Sequence, residues 1–148
     1  MKYIGFNGRQ YNINPTDYIV YGDDELSRSS LHLRARQVLK KLFPKDIILE
    51  EISLPGSSKG SAGTLRLDFL IETYKIGVEV HGEQHYKFNS HFFKDRKQFS
   101  LALKRDSIKI EWCEMNGISL VELPYCESDN EWKKRIKARF CQLLTNES

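Results

Sequence analysis

Asp68 lies in the apolar run Leu65 to Ile71, and Glu79 lies in the next run, Ile76 to His81. Aspartate is depleted in strands, so one inside a β-prone run asks for a reason. Only a tight turn, Glu72 to Lys75, separates the two runs. They are therefore expected to pair as an antiparallel hairpin that brings both carboxylates together on one face. Two carboxylates held close repel each other and are costly to desolvate. A divalent cation removes that cost. Mg²⁺ favours one or two carboxylates, completed by water and phosphate oxygens. The plainer alternative is a pair of edge-strand charges facing water.

The next residues are His81-Gly82-Glu83-Gln84-His85. Two histidines around a glutamate suggest a zinc protease, but that motif needs glutamate directly after the first histidine and a helix beneath both. Here Gly82 follows His81, and a β-run leads in. The better expectation is that the strand ends at the carboxylates and projects His81, Gln84 and His85 around the same point. A histidine beside a phosphate can orient or deprotonate the attacking water, or protonate the leaving oxygen. Asp106 adds to the set. At helical spacing it falls with Phe99, Ala102, Leu103, Ile110 and Cys113. A carboxylate in an apolar stripe needs a partner. The candidates are a histidine, a basic side chain or the metal site, unless the helix is bent or frayed there.

Basic residues surround this region. Lys94, Arg96, Lys97, Lys104, Arg105 and Lys109 crowd the segment leading to and through Asp106. With Arg34, Arg36, Lys40, Lys59 and the basic last helix they form a candidate phosphate-binding surface. Charge runs are also common on solvated faces, and Arg36 and Lys40 admit both readings.

The elements that must position these groups follow from periodicity. Lys2 to Phe6, Asn7-Gly8 and Arg9 to Ile13 read as a β-hairpin with a two-residue turn. A helix is expected over Ser30 to Leu42, with Leu31, Ala35, Val38, Leu39 and Leu42 on one face, a serine cap and Pro44 beyond. Strands are expected at Ile47 to Leu54, Leu65 to Ile71, Ile76 to His81 and Ile118 to Leu123. A long helix spans about Phe92 to Asn116. The last helix, Asp129 to Leu144, carries the stripe Trp132, Ile136, Phe140 and Leu143. This order implies one α/β (α+β) domain, a small mixed sheet flanked by helices. It divides into a hairpin extension over 1–22, a core over 29–123 and a basic helix over 128–145.

Composition sets the frame. The chain has 148 residues, 40% hydrophobic and 29% charged, as in an ordinary globular domain. No apolar run approaches the roughly 18 residues of a membrane span. The first residues lack a signal-peptide core, so the expected compartment is the cytoplasm. Three widely spaced cysteines, with no CxxC pair, favour neither a disulfide framework nor structural zinc. A net charge of +3 permits nucleic-acid binding without demanding it.

The stretch RLDFLIETYKIGVEVHGEQHY, Arg66 to Tyr86, resembles the core of the PD-(D/E)XK nuclease superfamily. Within it, the nearest likeness is the branch of very-short-patch repair endonucleases and EDxHD homing endonucleases. The shared features are Asp-Phe in an apolar strand, Glu-Val-x-Gly-x-Gln-His after a turn, and a downstream aspartate before Asn116-Gly117-Ile118. The resemblance runs from about Ser29 to Leu123. It implies a restriction-endonuclease-like fold with Asp68 as the main metal ligand. Glu79 would be a second ligand or water-orienting group, helped by the Val80 carbonyl. It implies His85 as the acid or base and Asp106 as its orienting partner. Two departures stand out. The superfamily's strand lysine is His81 here, so its role passes to His81, Gln84 or a lysine from elsewhere. The first helix has no acidic residue, for which Glu25 or Glu50 are substitutes.

The function expected is a Mg²⁺- or Mn²⁺-dependent DNA endonuclease, of a kind that suits a phage or mobile element. It works as a single chain that nicks or as a homodimer that cuts both strands. The alternative is a nuclease-fold nucleic-acid-binding module with an impaired site. A zinc hydrolase built on His81 and His85 is a third.

Overall fold

The computed structural model describes residues 2–20, 29–59, 63–83 and 96–146. The chain begins with β1 (Lys2–Ile4) and β2 (Gln10–Asn12), followed by α1 (Ser30–Leu42) and β3 (Leu49–Ser53). Next come β4 (Arg66–Ile71), β5 (Ile76–His81), α2 (Arg96–Met115), β6 (Ser119–Pro124) and α3 (Asp129–Asn146). The main sheet has the order β3-β4-β5-β6. Its first three strands are antiparallel, and β6 runs parallel to β5. The parallel step requires a crossover, and α2 provides it. The mixed α/β class expected from the element order is the one observed.

Each face of the sheet has its own core. On one side, Ala35, Val38 and Leu39 of α1 and Trp132 and Ile136 of α3 pack on Phe69, Ile71, Ile76, Val78, Val121 and Leu123. On the other, Ile108, Trp112 and Cys113 of α2, with Tyr3 and Ile13, cover Leu49, Ile52, Leu54, Leu67 and Leu70. The first residues of the chain are thus part of the second core. Among the described residues, no helix is long and apolar enough to cross a membrane.

Helix α1 forms where its capping and spacing require. The Ser29 hydroxyl accepts the His32 N–H at 3.1 Å, satisfying one of the unpaired donors of the first turn. The N-terminal hairpin departs from expectation. Its strands are shorter, and Gly5 to Arg9 form a five-residue connection instead of a two-residue turn. The cause is tertiary. Phe6 donates its N–H to the Gly56 carbonyl at 2.9 Å, drawing the loop onto the β3–β4 connection. A Cβ at Gly56 would lie 2.5 Å from the Gly5 Cα, so only glycine allows these backbones to touch.

The alternation of β4 also breaks. Leu67 and Leu70 both face the α2 core, while Phe69 and Ile71 face α1 and α3. The residue between, Asp68, lies in the row of Glu51, as the flanking pairs Glu50↔Phe69 and Ile52↔Leu67 require. Glu51 has φ 49°, a left-handed conformation that is rare outside glycine.

Arg36 corrects the reading of α1 as a helix with a solvated or phosphate-facing basic side. It is only 3% exposed. Its Nε donates to Glu50 Oε2 and its Nη2 to Glu50 Oε1, both at 2.9 Å. His32 Nε2 lies 2.7 Å from the same Oε1, and its ring stacks on Phe69 at 4.4 Å. Glu50 is thereby committed to α1 and does not act as a spare acid for the site. Burial opposes its ionisation, but the bonds from His32 and Arg36 outweigh burial and hold its carboxyl below the ordinary 4.5. A carboxyl held low in the fold contributes stability above its unfolded value, and that contribution is lost as the pH falls through the folded value.

Denaturant titrations check this triad. Glu50→Gln removes the charge that the buried Arg36 guanidinium bonds through Nε and Nη2. It should cost about 3–5 kcal/mol at pH 7. The gap to the wild-type chain should narrow as the pH drops below about 4.5, because the wild-type carboxylate then loses its charge.

Candidate metal and nucleic-acid site

The pairing of β4 with β5 runs through Ile71↔Ile76, Leu70↔Gly77 and Phe69↔Val78. The next row would place Asp68 opposite Glu79. There the Asp68 side chain replaces a main-chain acceptor, its Oδ2 taking the Val80 N–H at 2.8 Å. The local hairpin thus brings Asp68 next to Glu79, as their spacing implied. Glu79 is 4% exposed and faces α2. Burial pushes its carboxyl well above the usual range, and the negative charge of Asp68 pushes further; Lys109 offsets only part of this.

Lys109 is the third member. Its Nζ lies 2.5 Å from Glu79 Oε1, with the side chain mostly buried. The contact is an ion pair whose angles are not those of a hydrogen bond, so Glu79 Oε1 has a charged neighbour and no aligned donor. Burial works against the ammonium, but Glu79, Asp68 and Asp106 together keep its pKa above normal. Lys109 was expected among the phosphate-contacting lysines. It turns inward because Ile108, Trp112 and Cys113 seat this half of α2 on the sheet. Trp112 locks that seat, donating its indole N–H to the Pro55 carbonyl at 3.0 Å. Asn116 locks the end of the helix, accepting the Ile4 N–H and donating to the Ile4 carbonyl. The Cys113 thiol beneath is pushed up to about 12 by burial and by Glu79, which leaves it unreactive.

The remaining candidates divide. His81 follows Glu79 by two residues and shares its face of β5. It is buried, with Nδ1 3.7 Å from Glu122 Oε2. Glu122 was not foreseen. It pairs directly with Glu79 across the parallel β5–β6 ladder, a register that no local pattern announces. Asp106 is half-buried, as are Phe99, Ala102 and Ile110 along its stripe, with Cys113 buried and Leu103 exposed. Its charge acts on Lys109, one turn on. Gln84, His85 and Lys94 lie outside the described residues, as does Glu25.

The basic residues do not form one surface. Arg34 binds Asp129 and the Glu127 carbonyl and stacks 3.7 Å from the centre of the Trp132 ring, joining α1 to α3. With buried Arg36, exposed Lys40 and α3 it lies on the sheet face opposite the carboxylates. The expectation that these helices flank the site is therefore corrected for α1 and α3. Lys59 pairs with Glu111 at 3.0 Å and sits over Phe6. Arg96 and Arg105 are exposed on α2.

The donor set suits a hard cation. One buried carboxylate oxygen lacks an aligned donor, a second carboxylate adjoins it, and oxygen ligands of this kind suit Mg²⁺ or Mn²⁺. Among the described residues, no group of three or more His, Cys, Asp or Glu side chains converges as a cage. Mg²⁺ bound through one or two carboxylates and substrate phosphate needs no such cage.

Comparison with known proteins gives partial matches. The chain is 38% identical over 73 residues to uncharacterized protein 307L of Invertebrate iridescent virus 6, covering 49% of this chain and 37% of that protein. It is 35% identical over 65 residues to uncharacterized protein 033L of Invertebrate iridescent virus 3, covering 44% and 34%. Uncharacterized protein 094L of Frog virus 3 (isolate Goorha) is 37% identical over 68 residues, covering 45% and 44%. The matched part thus spans less than half of each of these relatives. No family model matches the chain. No solved structure matches it.

Asp68→Asn tests the electrostatics without chemistry. Asparagine still offers Val80 an acceptor oxygen, and the repulsion with Glu79 is gone. In the presence of chelator the variant should melt about 2–4 °C above the wild-type chain, the shift that about 1 kcal/mol produces at this size.

Proposed function

We propose that the chain is a metal-dependent DNA endonuclease. The observation that carries the reading is Glu79 Oε1, buried without an aligned donor beside Asp68 and facing the Lys109 ammonium. Asp68 and Glu79 would hold Mg²⁺ or Mn²⁺, with the Val80 carbonyl as a further ligand. The ion would supply a Lewis acid that activates water and neutralises charge on the phosphodiester.

The side chains of the chain do the rest. Lys109 provides the positive charge for the pentavalent phosphorus, the role left open by His81 at the strand position where similar nucleases carry lysine. His81, and His85 from the resemblance, handle protons, with Gln84 beside them and Asp106 restraining Lys109. Virus-encoded relatives support a viral or mobile-element setting; action in the host cytoplasm belongs to the same proposal. One site per chain nicks one strand, and a homodimer would cut both.

A second reading has its own observation. Lys109 already neutralises Glu79 at 2.5 Å, so a nuclease-like fold could persist as a DNA-binding module without a cation. Calorimetric titration with Mn²⁺ separates the two, since heat that depends on Asp68 belongs to the enzyme alone.

A cleavage panel of duplex, mismatched, branched and single-stranded DNA with Mg²⁺ or Mn²⁺ tests the enzyme. Asp68→Ala should abolish metal-dependent nicking while the far-UV spectrum is unchanged. Lys109→Met should lower the rate about 10²–10³-fold, the usual cost of one lost charge-stabilising group. Full cleavage by Asp68→Ala would refute the proposal.

A further inference from the structure

The two edges of the main sheet differ. At β3, Ile19 bridges Leu49. At β6, β5 lies on one side and, among the described residues, no strand lies on the other. The Ser119 N–H bonds the Lys75 carbonyl and the Tyr125 N–H bonds the His81 carbonyl, both at 2.8 Å. Odd-numbered residues of β6 therefore aim their amides at β5. Leu120 and Glu122 lie between them and turn their N–H and C=O groups outward, as on any edge strand. Among the described residues nothing takes up those four groups. Pro124, which has no N–H, ends the row.

This edge is the floor of a groove of about 580 Å³ between two helices. Ile110 and Glu114 of α2 stand on one side, and Arg135 and Arg139 of α3 on the other. Glu122 adds a carboxylate to the α2 side. Its neighbours Val121 and Leu123 enter the core of α1 and α3, so its own side chain points the opposite way. Its Oε2 lies 3.7 Å from His81 Nδ1. Arg135 is held by Glu127. Glu114 and Arg139 are exposed, and no ion pair among the described residues engages them. One wall thus presents negative charge and the other positive.

That division of charge selects the occupant. A second copy joined edge to edge in a closed pair is related by a two-fold axis normal to the sheet, which keeps each face on its own side. Acidic wall would meet acidic wall, and basic wall basic. An extended segment of another protein brings no helices of its own, and its side chains alternate between the two walls. Cations on one side of it and carboxylates on the other match the groove. Lysine suits the acidic wall twice over, since its stem can lie along Leu120 and Ile110 while the ammonium reaches Glu114. We infer that the β6 edge takes an extended segment of a partner protein as a fifth strand, through main-chain pairing with Leu120 and Glu122. The segment alternates basic residues toward α2 with acidic residues toward α3. This goes beyond the nuclease reading and stands without it. The occupant would be separated from β5 and Glu79 by β6 alone, because Glu79 pairs with Glu122 across the ladder.

The probe is the acetylated and amidated peptide Thr-Lys-Glu-Ile-Glu-Lys-Thr, which puts both lysines and the isoleucine on one face and both glutamates on the other. Amide hydrogen exchange is followed by NMR on the full wild-type chain, with and without millimolar peptide. The peptide should protect the amides of Leu120 and Glu122 at least about tenfold, while those of Val121 and Leu123, already bonded to β5, change little. Arg139→Glu makes the α3 wall less basic and should weaken peptide binding about fivefold at low salt, with the melting temperature little changed. N-methylation of the peptide at isoleucine and at the glutamate after it removes a ladder donor on either edge. With the protein untouched, it should weaken binding at least about tenfold. Absence of binding would overturn the inference, as would binding that leaves the Leu120 and Glu122 amides unprotected. So would a dimer in which both amides are protected without peptide, or single-stranded DNA that protects them as well as the peptide does.

Discussion

Glu79 sits inside the protein next to another carboxylate, and most of the architecture follows from how that is tolerated. Like charges held together repel, and burial adds to the penalty. Three features answer it. The Val80 N–H takes up one oxygen of Asp68. The carboxyl of Glu79 resists ionisation. The ammonium of Lys109 reaches down from the helix above. The last is possible only because Trp112 and Asn116 hold α2 against the β3–β4 connection and the first strand. Strain at Glu51 and the broken alternation of β4 occur in the same row as Asp68. Irregular backbone of this kind gathers at working sites more often than elsewhere.

The two faces of the sheet are used differently. One carries α1 and α3 and a polar triad in which Glu50, Arg36 and His32 satisfy one another. That face is closed and structural. The other carries α2 and leaves Glu79 only partly answered. A buried group with its bonds complete can rigidify a fold, whereas one with a bond unmade is available to a ligand.

The parts of this arrangement that depend on nearby residues were legible beforehand. Helix α1 begins and ends where its serine cap, its apolar spacing and Pro44 place it, and β5 matches its apolar run residue for residue. Asp68 meets Glu79 because a short turn leaves their strands little alternative. What stayed hidden was set at a distance. Arg36 looked like a surface cation because its partner, Glu50, belongs to a strand that local spacing cannot pair with α1. Glu122 was invisible without the parallel register. Lys109 was one lysine among several, and only the packing of Trp112 shows which of them turns inward. The five-residue loop of the N-terminal hairpin was set by Gly56, far along the chain.

The clasp between Ile4 and Asn116 has a temporal side. It joins residues 112 positions apart, so during synthesis the first strand emerges long before its partner exists. This clasp cannot close until nearly all of α2 has left the ribosome, whereas the Phe6–Gly56 bond needs only the β3–β4 connection. Contacts of such high separation form late because the intervening chain must first be closed. The same event that ties down β1 also seats the helix that delivers Lys109. Asp68 and Glu79 thus leave the ribosome ahead of Lys109, and the face of the sheet that carries them is completed among the last steps of folding.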